Sequence, residues 1–262
     1  MDLFDGEIEI IKAFQDVNVS SVMLAPEGSK ACESLYLSIK ELEQWNKWAD
    51  SSGKADLPPD FYSDELGYMM DVMRVDDHGY HNKKGKTVNP TRQRETEIAR
   101  ELREKGIIDA FPTAKLIMTV DTKLPTREDH NYTYYRKNFV RTIEAHKKKI
   151  SNYKTNHPSL KTVFLVFDES SQYMQTTQKI EQPKIGLSVM AMPHLWWCDS
   201  EFAKAFQSSE IDYLIWFTPY KHCEMYDQFG NAVTLPTISV IDTKMIIDAI
   251  NYDESLMESV EI

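Results

Sequence analysis

The sequence predicts an α/β fold, a three-layer sandwich with helices on both faces of a mixed, largely parallel central sheet. Strand-like apolar runs alternate with amphipathic helical stretches through most of the chain, which calls for strands inside and helices outside. The run TVFLVF (162–167) is apolar at every position, as expected of a central strand covered on both faces. A chain of 262 residues, 42% hydrophobic and 27% charged, has enough apolar material to bury such a core as a single domain, residues 1–262.

Taken in order, GSKACESLYLSIKELEQWNKWA (28–49) reads as a helix, with Leu35, Ile39, Leu42 and Trp45 at helical spacing and Ser29 as its cap. A polar loop leads into two short strands, PDFY and GYMMDVMRV, joined by the turn-like SDELG. DDHGYHNKKGKTVNPT is a loop or a protruding hairpin. TRQRETEIARELREKG is a helix, with Thr91 as N-cap and Gly106 as C-terminal stop. AKLIMTVDT (114–122) reads as a strand, and 130–157 as one long helix that turns Tyr135, Phe139, Ile143, His146, Ile150 and Tyr153 inward. LKTVFLVFDES (160–170) is the central strand. The stretch 170–198 has room for one strand, and its Trp196–Trp197 pair is expected over the sheet edge. DSEFAKAFQSS, IDYLIWFTPY, TISVID and KMIIDAI then read as helix, strand, strand and short helix.

Composition narrows the function classes. No apolar run approaches the roughly 20 residues needed to span a bilayer, and the acidic N-terminus lacks the basic region of a signal peptide. Cys32, Cys198 and Cys223 are odd in number and not in metal-ligand spacing, so they read as reduced thiols of a cytoplasmic protein. A net charge of −11 disfavours nucleic acid as a partner, although 134–154 is strongly basic. On that stretch Arg136, Lys137, Arg141, Lys147 and Lys148 could meet phosphates, with interleaved tyrosines to stack on bases; solvation is the plainer role. No Gly-rich phosphate loop, nucleophile elbow or CxxC is present. Oligomeric state is not legible.

PPDFYSDELGYMMDVMRVDD (58–77) places Asp60 after a proline and Asp71 inside the next apolar run. A helix, a hairpin carrying two acids, then a helix and a further strand resembles the core of the PD-(D/E)XK (restriction-endonuclease-like) nuclease superfamily, over residues 28 to about 122. The resemblance implies a restriction-endonuclease-like core, about 28–170 with the helix and strand that follow, and a C-terminal αβ extension, about 171–262. It also implies phosphodiester cleavage with magnesium or manganese. Asp60 matches the first acid and Asp71 the second, and Glu33 on the preceding helix is the extra acid many members add. Where the family has its lysine, this chain has Met73, which cannot orient or deprotonate water. Either Lys83, Lys84, Lys86 or Lys123 supplies that function, or the fold binds a protein or nucleic-acid partner without cleaving it.

A second register competes: Asp109, then Asp121 and Lys123 in D-T-K, with Glu97 or Glu101 as the helical acid. Its chemistry is complete, but its first strand is very short and Pro112 crowds the turn. Strand-end aspartates that merely cap turns would account for both. A third candidate is DDHGYH, where Asp76, Asp77, His78 and His81 offer nitrogen and oxygen ligands suited to zinc or iron in a metal-dependent hydrolase. Asp168 and Glu169 stand out too, because open α/β sheets place their sites at the carboxyl ends of such strands.

Overall fold

The computed structural model describes residues 6–18, 22–51, 59–84, 86–110, 130–179, 191–207, 210–221, 225–226, 232–233, 235–245 and 248–260. Helix α1 (Glu7–Asp16) turns Ile10, Ile11 and Phe14 inward. Its last carbonyls, those of Phe14, Gln15 and Val17, accept from the Lys40 ammonium at 3.3, 2.7 and 2.5 Å, so a cation closes the negative end of the helix dipole. Strand β1 (Val22–Ala25) and helix α2 (Lys30–Lys40) follow. Ser29 caps α2, its Oγ accepting from the Cys32 N–H at 3.3 Å. The single helix predicted over 28–49 is interrupted: Glu41 is extended (φ −88°, ψ 125°), and a separate turn α3 (Leu42–Trp45) leaves Leu42 68% exposed instead of inward.

β2 (Ala49–Asp50), β3 (Phe61–Ser63) and β4 (Tyr68–Val75) form an antiparallel ladder that contains the predicted acidic hairpin. β5 (Tyr80–His81) and β6 (Thr87–Val88) make the protruding hairpin. α4 (Pro90–Glu104) begins one residue before the expected Thr91 cap, since proline suits the first helical position, where no N–H is needed. It ends ahead of Gly106, whose φ of +66° admits glycine most easily. Ile107–Ala110 is a short helix, α5, closed by the Ala110 N–H on the Gly106 carbonyl at 3.0 Å. The first strand of the second acidic register is therefore not formed. Its second strand, with Asp121 and Lys123, lies outside the described residues.

The long helix predicted from His130 is two, α6 (Tyr132–Lys147) and α7 (Ile150–Asn156), broken at Lys148–Lys149. Then come β7 (Lys161–Asp168), β8 (Tyr173–Thr176), β9 (Ala191–Pro193), α8 (Ser200–Phe206), β10 (Tyr213–Phe217), β11 (Met225–Tyr226), β12 (Ala232–Val233), β13 (Ile238–Asp242) and β14 (Met257–Ser259). The stretch 170–198 thus holds two strands, not one; β8 pairs with β9 and β14 in a separate three-stranded sheet. Among its described residues KMIIDAI is a turn and a bridge rather than a helix. Trp196 does not cover an edge: it stacks on Trp216 of β10, ring centroids 3.9 Å apart, because burying two indoles together removes more apolar surface than an edge could.

The main sheet runs β1-β13-β10-β7-β4-β3-β2, with the central trio β4, β7 and β10 parallel and antiparallel contacts at β13–β10 and from β4 outward. Residues after 170 therefore supply β10 and β13 to the core sheet itself. On one face α6 and α8 cover Met69, Met73, Phe164, Val166, Leu214 and Trp216; on the other α1 and α2 cover Met70, Val72, Val163, Leu165, Phe167 and Ile215. β7 alternates between these two cores, which is why its sequence shows no polar alternation. Each such side chain stabilises the fold by roughly 1.5–3 kcal/mol through burial. The construction leaves the carboxyl ends of β4, β7 and β10 together at one rim.

Candidate metal centre at the strand ends

The parallel register sets Val75 of β4 beside Asp168 of β7, so the chain leaves the sheet as Asp76-Asp77-His78 on one side and Glu169-Ser170-Ser171 on the other. The amino end of α6 lies over this rim. Its cap Asn131 accepts from the Thr133 and Tyr134 N–H groups and donates its own N–H to the Asp77 carbonyl at 3.4 Å. His130, the residue before that cap, forms a backbone bridge with His78. The two imidazoles meet edge to face, centroids 5.0 Å apart.

Two aspartates at this rim are fully buried, and they differ. Asp168 is answered at both oxygens. Oδ2 accepts from Tyr135 OH (2.7 Å), Trp216 Nε1 (2.9 Å) and Lys221 Nζ (2.8 Å), and Oδ1 from the Ser170 N–H (2.9 Å) and hydroxyl (2.7 Å). Asp168 thus anchors a buried ion pair and a turn. Asp77 Oδ2 accepts from the Ser171 N–H (3.0 Å), the Ser171 hydroxyl (2.6 Å) and Tyr173 OH (2.6 Å), and lies 3.3 Å from His130 Nδ1. Asp77 Oδ1, equally buried, has no hydrogen-bond partner among the described residues, with His78 Nδ1 4.0 Å away. Leaving a buried carboxylate oxygen unanswered is costly, so this atom asks for a ligand.

Ligand atoms of Asp77, His78 and His130 all lie within 4.8 Å of one another. Burial alone pushes the Asp77 carboxyl up; the hydrogen bond and charge of His130, then His78 and Ser171, outweigh it and hold it at about 2. The donor set therefore fits a divalent ion of the zinc, iron(II) or manganese type, for which two imidazoles and a carboxylate are suitable. Two imidazoles suit magnesium less well.

The hairpin acids are arranged otherwise. Asp60 immediately precedes β3 and Asp71 lies on β4, each one residue beyond the Phe61–Met70 pair, and the two carboxyl groups interact. Asp60 Oδ2 accepts from the Val72 N–H at 2.7 Å. Asp71 Oδ2 bonds His146 Nδ1 and accepts from Tyr153 OH at 3.0 Å. Burial, then the neighbouring Asp71 charge, pushes the Asp60 carboxyl up to about 8. One oxygen of each acid, Oδ2, is thus held by protein groups: that of Asp60 by the Val72 N–H, that of Asp71 by His146 and Tyr153. Glu33 does not join them. It is exposed on α2, which packs on the opposite face of the sheet.

The remaining sequence candidates separate. Asp109 is on α5 rather than a strand. Arg136 turns to Glu254, Lys147 pairs with Glu144 at 2.7 Å, and Lys148 is exposed at the break after α6. Lys137 and Arg141 line a cleft of about 400 Å³ with Asp76, His78, Asn89, Tyr134 and Asn138. Glu169 forms a two-point pair with Arg74 at 2.7 Å. Sequence reasoning found Asp77 and His78 but not His130, Ser171 or Tyr173, which reach the site only through tertiary packing.

Comparison with known proteins gives no match: no family model fits this chain, and neither a curated protein nor a solved structure is similar to it.

Proposed function

We propose that this protein is a metal-dependent hydrolase whose centre is Asp77, His78 and His130. The observation that carries the reading is the buried Asp77 Oδ1, unpartnered among the described residues, in a carboxylate whose two oxygens lie 4.0 Å from His78 Nδ1 and 3.3 Å from His130 Nδ1. Ser171 and Tyr173 fix Asp77 Oδ2, leaving Oδ1 as its ligand atom. A bound ion would take the place of any proton on the ligating nitrogens of His78 and His130, and three protein ligands leave positions open for water and substrate. When bound, the ion supplies Lewis acidity and a water of lowered pKa. The cleft beside His78 gives substrate an approach. The PD-(D/E)XK resemblance supports a second reading, with the site at the hairpin; the facing of Asp60 and Asp71 across β3–β4 is the observation in its favour.

Calorimetric titration of zinc, manganese and magnesium into wild type, His130→Ala, Asp77→Asn and Asp71→Ala separates the two. The strand-end reading expects one zinc or manganese per chain, lost in the first two variants and kept in Asp71→Ala. Loss in Asp71→Ala alone would move the site to the hairpin. An ester-hydrolysis screen of the loaded protein then tests the activity.

A further inference from the structure

The cleft beside the metal ligands has a composition of its own. Lys137 and Arg141 stand four residues apart on α6, on one helical face, and both line it. Arg141 is steadied by one bond, NH2 to Asn138 Oδ1 at 2.8 Å, and the rest of its guanidinium fork can serve an anion. The one acid among the described lining residues, Asp76, is engaged by the amides of Asn89 (3.1 Å to each oxygen) and Asn138 (3.0 Å). Tyr134 forms another wall. Its ring lies so close to the 76–81 loop that a Cβ on Gly79 would sit 3.0 Å from the ring, so glycine at 79 is what lets the tyrosine occupy that wall. His78 belongs to both the cleft and the metal trio.

From this we infer that the cleft binds the phosphate group of a small phosphate monoester of nucleotide size, with Lys137 and Arg141 on the phosphate and Tyr134 against the remainder of the molecule. The inference rests on the hydrolase reading only for what happens next to His78; the cleft itself stands on its own residues. Two cations at the mouth of a protein of net charge −11 make a local positive spot in a negative field. A compact dianion fits inside a volume of about 400 Å³ and meets only that spot. A long polyanion would carry most of its phosphates outside this volume, where the net charge of −11 on the chain works against it. The observations therefore favour a small ligand over a polynucleotide.

The test is titration of inorganic phosphate, adenosine 5′-monophosphate and a twelve-residue single-stranded DNA into wild type, Lys137→Ala/Arg141→Ala and His130→Ala, each with and without zinc. The inference expects phosphate and the nucleotide to bind wild type, the double variant to weaken both at least tenfold with zinc stoichiometry unchanged, and the DNA to bind more weakly than the nucleotide. A double variant that binds phosphate as well as wild type overturns it, as does tighter binding of the DNA, or no binding of either small anion. Should zinc fail to bind wild type while phosphate still depends on Lys137 and Arg141, the cleft assignment stands and the metal reading falls.

Discussion

Two groups of buried acids share this sheet, and they solve the cost of burial differently. At the β3–β4 hairpin, Asp60 and Asp71 lie side by side, the Asp60 carboxyl is pushed up to about 8, and one oxygen of each turns to Val72, or to His146 and Tyr153. At the ends of β4 and β7, Asp168 is saturated by five donor contacts, whereas Asp77 keeps one oxygen without a described partner beside two imidazoles. An acid answered by the fold serves stability. An acid left partly unanswered, among groups that can ligate, is available for chemistry. The two sets can be told apart only by their hydrogen bonds, since all four side chains are aspartates on or beside strands.

The sharpest way to break this contrast is at the saturated acid. Asp168→Ala leaves the Lys221 ammonium buried without its counter-charge, and denaturant unfolding should show a loss of about 3–5 kcal/mol. An unchanged midpoint would mean that Asp168 is not the anchor described. Next in size is the ligand effect: zinc at a hundred times its dissociation constant should stabilise wild type by about 2.7 kcal/mol and leave Asp77→Asn unmoved in a thermal melt. Asp71→Ala, which strips His146 and Tyr153 of a shared acceptor, should cost about 1–3 kcal/mol without altering zinc binding. The remaining effect is read as a slope rather than a single loss. Asp60 has its folded pKa raised from 3.8 to about 8, so between those values the folded state holds a proton that the unfolded chain has released. Its contribution is present in full below about pH 4, is lost as pH rises towards 8, and is flat above. Asp60→Asn should remove that slope from a series of unfolding curves; wild type and variant with the same slope between pH 4 and 8 would contradict the raised Asp60 pKa.

Much of the fold was legible because its signals are local. The unbroken apolar run of β7 announced a strand covered twice, and the acids of the β3–β4 hairpin were placed on facing strands by the turn between them. β1 escaped notice: four residues, VMLA, carry no period of their own and become a strand only through β13. Where β8 and β9 lie, one strand was expected in place of two, for the same reason: their partners are each other and the distant β14. Of the candidate centre, Asp77 and His78 were visible as neighbours in DDHGYH. His130 was not, because what brings it there is the capped start of α6 resting on the end of β4. No spacing rule spans that fold.

Among the described residues, strand β1 has one neighbour in the main sheet, β13, which lies more than 200 residues later in the chain. During synthesis at about 5–20 residues per second, β1 waits on the order of ten seconds or more before Ile238–Ile241 leave the ribosome. Until then Val22–Ala25 is an unpaired edge that any other nascent strand can adopt. Completing the main sheet thus requires the return of the late chain to the early one. Overexpression that crowds many half-made copies together should show its penalty there, as pairing between chains at β1 in place of the closure within one.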